Sequence, residues 1–209
     1  MSMPTPASSS SSSATSASAS GGLGALVDGG GTYKGISAHL DALDPGTRLA
    51  HVLAVTGKRV GKLYDAVSDA PPIAVDDFFP PDTPDGKTLI FEGRNSLPLF
   101  SRFQKRFCKK NGVIVGYNHQ SNGWLTGPGY FVLTAGDASH PGEILFDYTL
   151  EPPFFPEGWP AYKPNASGVS RLVYQNMKDY CRRVAKGVIV GTAFKGGVAQ
   201  GAWFSLTGT

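Results

Sequence analysis

The chain has 209 residues, 41% hydrophobic and 11% aromatic, which supplies a buried core and excludes a wholly disordered protein. Two cysteines, Cys108 and Cys181, are too few for a disulfide framework, and no run of 18 apolar residues is present to cross a membrane as a helix. The net charge of +3 is unevenly laid: residues 1–87 carry six basic and nine acidic side chains, residues 88–209 thirteen and seven. Such a split points to an anionic partner for the second part, or to docking of the two parts on each other.

Residues 1–20 (MSMPTPASSSSSSATSASAS) are low-complexity and offer nothing to bury, so a disordered tail is expected. With no basic n-region and no apolar h-region before it, a reducing, cytoplasmic setting is the expectation. The Gly-rich stretch to Gly35 reads as linker, which puts the tail and linker at 1–35. Residues 36–87 read as a helical lead-in and a Pro-rich connection. Asp44 can cap a helix, Pro45 suits its first position, and Leu49, Val52, Leu53, Val60, Leu63 and Tyr64 recur at helical spacing. Asp76-Asp77-Phe78-Phe79 then reads as a connecting loop pinned by its phenylalanines.

Residues 88–209 read as the main domain. Strands are predicted at 88–92, 113–117, 129–134, 144–150, 188–194 and 202–206, the last two joined as a hairpin around Gly196-Gly197. Helices are predicted at 97–110, from the face Phe100, Phe103, Phe107, and from Ser167 or Ser170 to Gly187, from Val169, Leu172, Val173, Met177, Tyr180, Cys181 and Val184. The fold class that follows is α+β: a mostly antiparallel curled sheet or partial barrel with two packed helices.

Three stretches could carry chemistry. Val27-Asp28-Gly29-Gly30-Gly31-Thr32-Tyr33-Lys34 resembles the first phosphate loop of the sugar-kinase and actin-like ATPases, but the partner motifs of that fold are missing and a Gly-rich linker explains it. Arg102, Lys105, Arg106 and Lys109, with Arg182 and Arg183 of the last predicted helix, would form an anion- or nucleic-acid-binding surface if the two helices lie side by side. Tyr117, Asn118, His119 and Gln120, with Trp124, Tyr130 and Trp159, set polar groups beside a dense aromatic group, as at the mouth of a ligand pocket. His119 could also serve a small hydrolase or transferase with Cys108, Asp147 or Glu92, although no spacing selects one of them. The cysteines and histidines show no CxxC, HxxxH or HExxH spacing, so no metal and no cofactor is implied.

Glu92–Pro98, Phe103–Cys108, Thr126–Val132 and Pro156–Pro160, with the final helical segment, resemble a family of uncharacterised bacterial proteins over residues 88–207. That resemblance implies one domain and supplies no catalytic residue. The leading expectation is a non-catalytic small-ligand-binding domain, with anion binding and His119 chemistry as the alternatives.

Overall fold

The computed structural model describes residues 22–80, 82–98, 101–120 and 127–208, with the side chain of Asp76 left aside. The tail at 1–20, Leu99, Phe100 and Trp124 lie outside the described residues.

Four helices lead: α1 (Leu23–Asp28), α2 (Tyr33–Asp41), α3 (Pro45–Ala54) and α4 (Lys58–Ala66). The glycine run after α1 is a helix ending rather than a linker. Gly31 N–H bonds Leu26 O and Gly30 N–H bonds Val27 O, with Gly30 at φ +75, the left-handed residue of a Schellman turn. A Cβ on Gly31 would lie 2.9 Å from Leu26 O. The Asp28 carboxylate of the phosphate-loop lookalike is engaged by Arg59 at 2.8 Å and Lys62 at 3.1 Å. Asp44 caps α3 as its sequence implies, accepting from Thr47 N–H at 3.0 Å.

Eight antiparallel strands follow and close into a barrel in simple chain order. They are β1 (Thr88–Asn95), β2 (Arg102–Lys110), β3 (Val113–His119), β4 (Tyr130–Ala135), β5 (Ile144–Asp147), β6 (Met177–Ala185), β7 (Val188–Lys195) and β8 (Val198–Gly208). Closure comes from β1 on β8, Phe91 opposite Gly208 through Asn95 opposite Phe204. Two-residue turns set the tightest registers. Asn111-Gly112 and Gly196-Gly197, all at positive φ, make Lys110 face Val113 and Lys195 face Val198.

The expected α+β curled sheet or partial barrel with two packed helices is therefore corrected to a closed, mostly β barrel. Both supposed helices of the second half are strands. Residues 102–110 form β2, and after the short α5 (Ser170–Tyr174) residues 177–185 form β6. A Phe103/Phe107 spacing fits a helical face and alternate positions of a strand equally well. Closing the sheet decides the matter, because every strand then pairs on both sides and no edge is left.

The barrel interior is rich in aromatic rings: Phe91, Phe107, Phe131, Phe146, Tyr148 and Phe204 belong to one buried cluster with Leu206 and Ile189. Inward glycines make room for some of them; a Cβ on Gly116 would sit 2.4 Å from the Phe131 ring, and one on Gly191 2.4 Å from that of Phe204. One end is stoppered by the 3-10 turn Val75–Phe78, whose Phe78 stacks on Phe91 at 4.6 Å and meets Phe107 edge-on at 4.5 Å.

A second core joins the helices to the barrel's outer wall. Leu23, Ile36, Leu40, Val52, Val60 and Leu63 pack with Val184, Val188, Val190 and the Trp203 ring. Burial of apolar surface thus carries most of this docking. Across the seam, Asp77 pairs with Arg183 at 2.8 Å, and a polar strut pins α4: Tyr64 O–H donates to Glu143, whose carboxylate takes Arg182 at 2.9 Å.

Candidate functional site: the open mouth of the barrel

Strand alternation sends Phe103, Lys105 and Phe107 of β2 inward, and likewise Asn118 of β3 and Met177, Asp179 and Cys181 of β6. In a closed eight-stranded barrel β2 and β6 are four strands apart whichever way one counts, so Lys105 and Asp179 face each other across the lumen. Their side chains meet at 3.2 Å and are 2% and 3% exposed as residues.

Two further groups complete a quartet. The Lys105 ammonium donates to Asn118 Oδ1 at 2.8 Å, to Tyr148 Oη at 2.5 Å and to Asp179 Oδ2. Tyr148 O–H is directed at Asp179 Oδ2, 3.1 Å away. Asn118 Nδ2 donates to Gly129 O at 3.2 Å and to Tyr148 Oη at 3.1 Å. Rings surround the cation: Nζ lies 4.9 Å from the centroid of Phe131, 5.0 Å from Phe204, and 5.2 Å from both Phe146 and Tyr148. Ring faces of this kind offset part of the cost of stripping an ammonium of water.

Burial nevertheless governs the pair. It pushes the Lys105 ammonium below its ordinary value and the Asp179 carboxyl above its own, each held back by the charge of the other. Burial, and next the Asp179 charge, drive the Tyr148 phenol well above its usual range. A buried ion pair is a weak source of stability, because desolvation consumes most of its Coulomb gain. Buried ionisable groups with shifted pKa values are commoner at functional sites than in ordinary cores, which makes this end the candidate site.

Above the quartet lies a cavity of about 330 Å³, at the low end of the size range of ligand sites. Its floor is Lys105, Asn118, Tyr148 and Asp179. Its walls are mostly apolar: Phe103, Val173, Met177, Ala193 and Phe204. Tyr174 of α5 stacks on Tyr148 with centroids 5.5 Å apart and planes 9° apart, so α5 is fixed to the floor by ring contact. Larger surface grooves exist elsewhere: one of about 620 Å³ beside Cys108 and Phe155, whose charged lining residues are exposed, and one of about 350 Å³ between Pro72 and His140, lined on the outer wall by the Glu143–Arg182 pair.

The pocket residues expected from sequence are divided between the two faces of β3. Asn118 faces the lumen, and Gln120 reaches the mouth, where its Nε2 donates to Tyr174 Oη at 3.3 Å. Tyr117 and Tyr130 face outward and hold the 151–168 loop on the barrel wall: Tyr117 packs on Trp159 at 4.7 Å, Tyr130 O–H donates to Pro160 O at 2.6 Å, and Trp159 Nε1 donates to Thr88 Oγ1 at 3.0 Å. His119 is exposed beside a surface cleft of about 350 Å³ shared with Pro128, Pro160 and Lys163. Burial, then the Arg106 charge, lowers its pKa. Cys108 is opposite Val115, four residues along β3 from His119, which at ~3.3 Å per residue is far beyond hydrogen-bond reach. Glu92 is separated from His119 by the whole width of β2, with Gln104 between them in register, and Asp147 at the end of β5 binds Thr149, two residues on, and Lys178 of β6.

The cations expected to share one anion-binding surface are dispersed as well. Lys105 is inside the barrel. Arg102 is exposed near the start of β2, and Arg106 turns outward onto Gln104 Oε1 at 3.2 Å. Lys109 sits over Phe79 at 5.9 Å, Arg182 stacks on Tyr64 and pairs with Glu143, and Arg183 pairs with Asp77. Among the described residues no group of three or more His, Cys, Asp or Glu is placed to hold a metal.

Tyr148 and Asp179 were invisible as site residues in the sequence. Their only signal was a polar residue at alternate spacing from apolar ones, Met177-x-Asp179-x-Cys181 and Phe146-x-Tyr148, and that signal is weak without the partner strand. No family model, curated protein or solved structure matches this chain, so the site stands on its geometry, and the resemblance over 88–207 adds no residue to it.

Proposed function

We propose that the protein binds a small, largely apolar molecule in the open mouth of its barrel and does not transform it. The observation that carries this reading is the buried Lys105–Asp179–Tyr148–Asn118 quartet at the floor of an apolar cavity. Apolar walls supply affinity, and a few fixed polar groups set orientation, which is the usual division of labour in ligand sites. The opposite end is plugged, and strands paired on both sides give the cavity a fixed wall.

The test is titration of the full chain with N-phenyl-1-naphthylamine, an uncharged apolar fluorophore. A saturable, one-to-one rise in emission is expected. Ala193→Phe, which fills the cavity from β7, should abolish it while far-UV circular dichroism is unchanged. Absence of saturable binding, or the same affinity in a folded Ala193→Phe variant, would refute the reading.

A further inference from the structure

The floor of the mouth has an asymmetric hydrogen-bonding capacity. An ammonium has three N–H donors, and those of Lys105 go to Asn118, Tyr148 and Asp179. A primary amide has two, and those of Asn118 go to Gly129 O and Tyr148 Oη. The Tyr148 hydroxyl accepts from Lys105 and Asn118 and turns its own hydrogen to Asp179. Every donor of the quartet is thus used inside the quartet or on the barrel backbone. Acceptor capacity is left over. Asp179 Oδ2 takes two bonds, and among the described residues none is made to Oδ1, whereas an ionised carboxylate offers about four lone-pair sites. Asp179 lines the cavity.

Charge narrows the choice further. The quartet holds one cation and one anion 3.2 Å apart, so its net charge is zero. A carboxylate entering the mouth loses its water and meets Asp179; an ammonium does the same and meets Lys105. Neither finds an uncompensated opposite charge to replace its hydration. An uncharged group that donates a hydrogen bond loses least on entry and meets the acceptor that is open.

We infer that the mouth selects an uncharged amphiphile: an apolar body against Phe103, Met177 and Phe204, carrying a hydroxyl or amide N–H that donates to Asp179. The inference rests on the mouth being a ligand site and goes beyond that reading by naming the ligand's class.

The experiment is displacement of N-phenyl-1-naphthylamine from the full chain at pH 7.5 by four eight-carbon competitors: octan-1-ol, methyl octanoate, octanoate and octylamine. Octan-1-ol should displace the probe at a concentration at least about tenfold below that needed of octanoate or octylamine, and severalfold below that of methyl octanoate, which is uncharged but has no donor. In Asp179→Asn, where Lys105 loses its counter-charge, the order should invert so that octanoate outcompetes octan-1-ol. If either charged competitor matches octan-1-ol on the native protein, the assigned class is wrong although the site stands. If methyl octanoate matches it, the donor requirement is wrong. A probe that never binds removes both the site and the class. Should Asp179→Asn fail to fold, the four competitors on the native chain decide the question by themselves.

Discussion

At one end of the barrel Phe78 enters the lumen and stacks among Phe91, Phe107 and Phe146; at the other, Lys105 and Asp179 meet across the lumen under an open cavity. Both ends close the same eight strands, and both are buried. Only the first gains stability from its burial, since apolar rings leaving water are favourable on any reference scale. Charges leaving water are not, and the quartet recovers their cost only while all its members are present. The stopper is therefore the stabilising end, and the quartet is the end where burial carries a cost.

The largest effect is expected on removing one charge. Lys105→Met should cost about 3–5 kcal/mol in urea unfolding, because it leaves Asp179 buried and unpaired. The pH dependence of that loss has a definite sign. The Asp179 carboxyl is already raised above its ordinary value of 3.8 by burial, and loses the cation that held it down. A raised acid favours the folded state while protonated, so the variant should be least impaired near pH 4 and should lose stability as pH rises through the folded-state pKa. Replacing both charges, Lys105→Met with Asp179→Leu, should recover most of the stability and still lose the selectivity for a hydroxyl. A double variant as unstable as the single one would show that the quartet is a structural keystone rather than a specialised floor.

Phe78→Ala should cost a comparable or slightly smaller amount, about 3–5 kcal/mol, by opening a hole at the stoppered end. Probe affinity at the mouth should change little, and a large change would mean that the two ends are coupled. In the same turn, Asp77→Ala removes the exposed pair to Arg183 and the bond that Asp77 Oδ2 accepts from Ala74 N–H, and should cost about 1–2 kcal/mol. The smallest effect should come from outside the barrel. His119→Ala should leave probe affinity within about twofold, since His119 faces the outer wall; a larger loss would move the site to the outer cleft. A last contrast concerns the helical layer, where His39 Nε2 lies 3.0 Å from His51 Nδ1. Burial, then the neighbouring His51, lowers the His39 pKa. The unfolded chain therefore binds the proton more readily, and the melting temperature should fall as pH drops below about 6.5, less so in His39→Asn.

Much of the barrel was legible as strands. Val113–Tyr117, Gly129–Thr134 and Ile144–Leu150 declared themselves by β-branched and aromatic content, and Gly196-Gly197 by turn chemistry, close to the observed β3, β4, β5 and the β7–β8 hairpin. Phe78 and Phe79, the two apolar residues after an acidic pair in a Pro-rich stretch, pin that stretch and are buried. The two strands misread as helices are the two that carry the ion pair. In Phe103-x-Lys105-x-Phe107 and Met177-x-Asp179-x-Cys181 a charged residue occupies the central inward position, so the alternation that marks a strand is broken where the site is built. A helix-like spacing of the remaining apolar residues then fits as well as the true one. Local rules fail first where a protein spends stability on something other than folding.

The sequence by itself determined several turns, most of the strands, the Asp44 cap of α3 and the aromatic content of the core, because each depends on neighbours a few residues away. Tertiary structure alone decided that β1 meets β8, and so that the sheet closes. Closure puts β2 opposite β6, and a lysine and an aspartate 74 residues apart become one buried pair beneath a cavity. No spacing along the chain encodes that meeting, since it follows from the count of strands around the barrel and from their register.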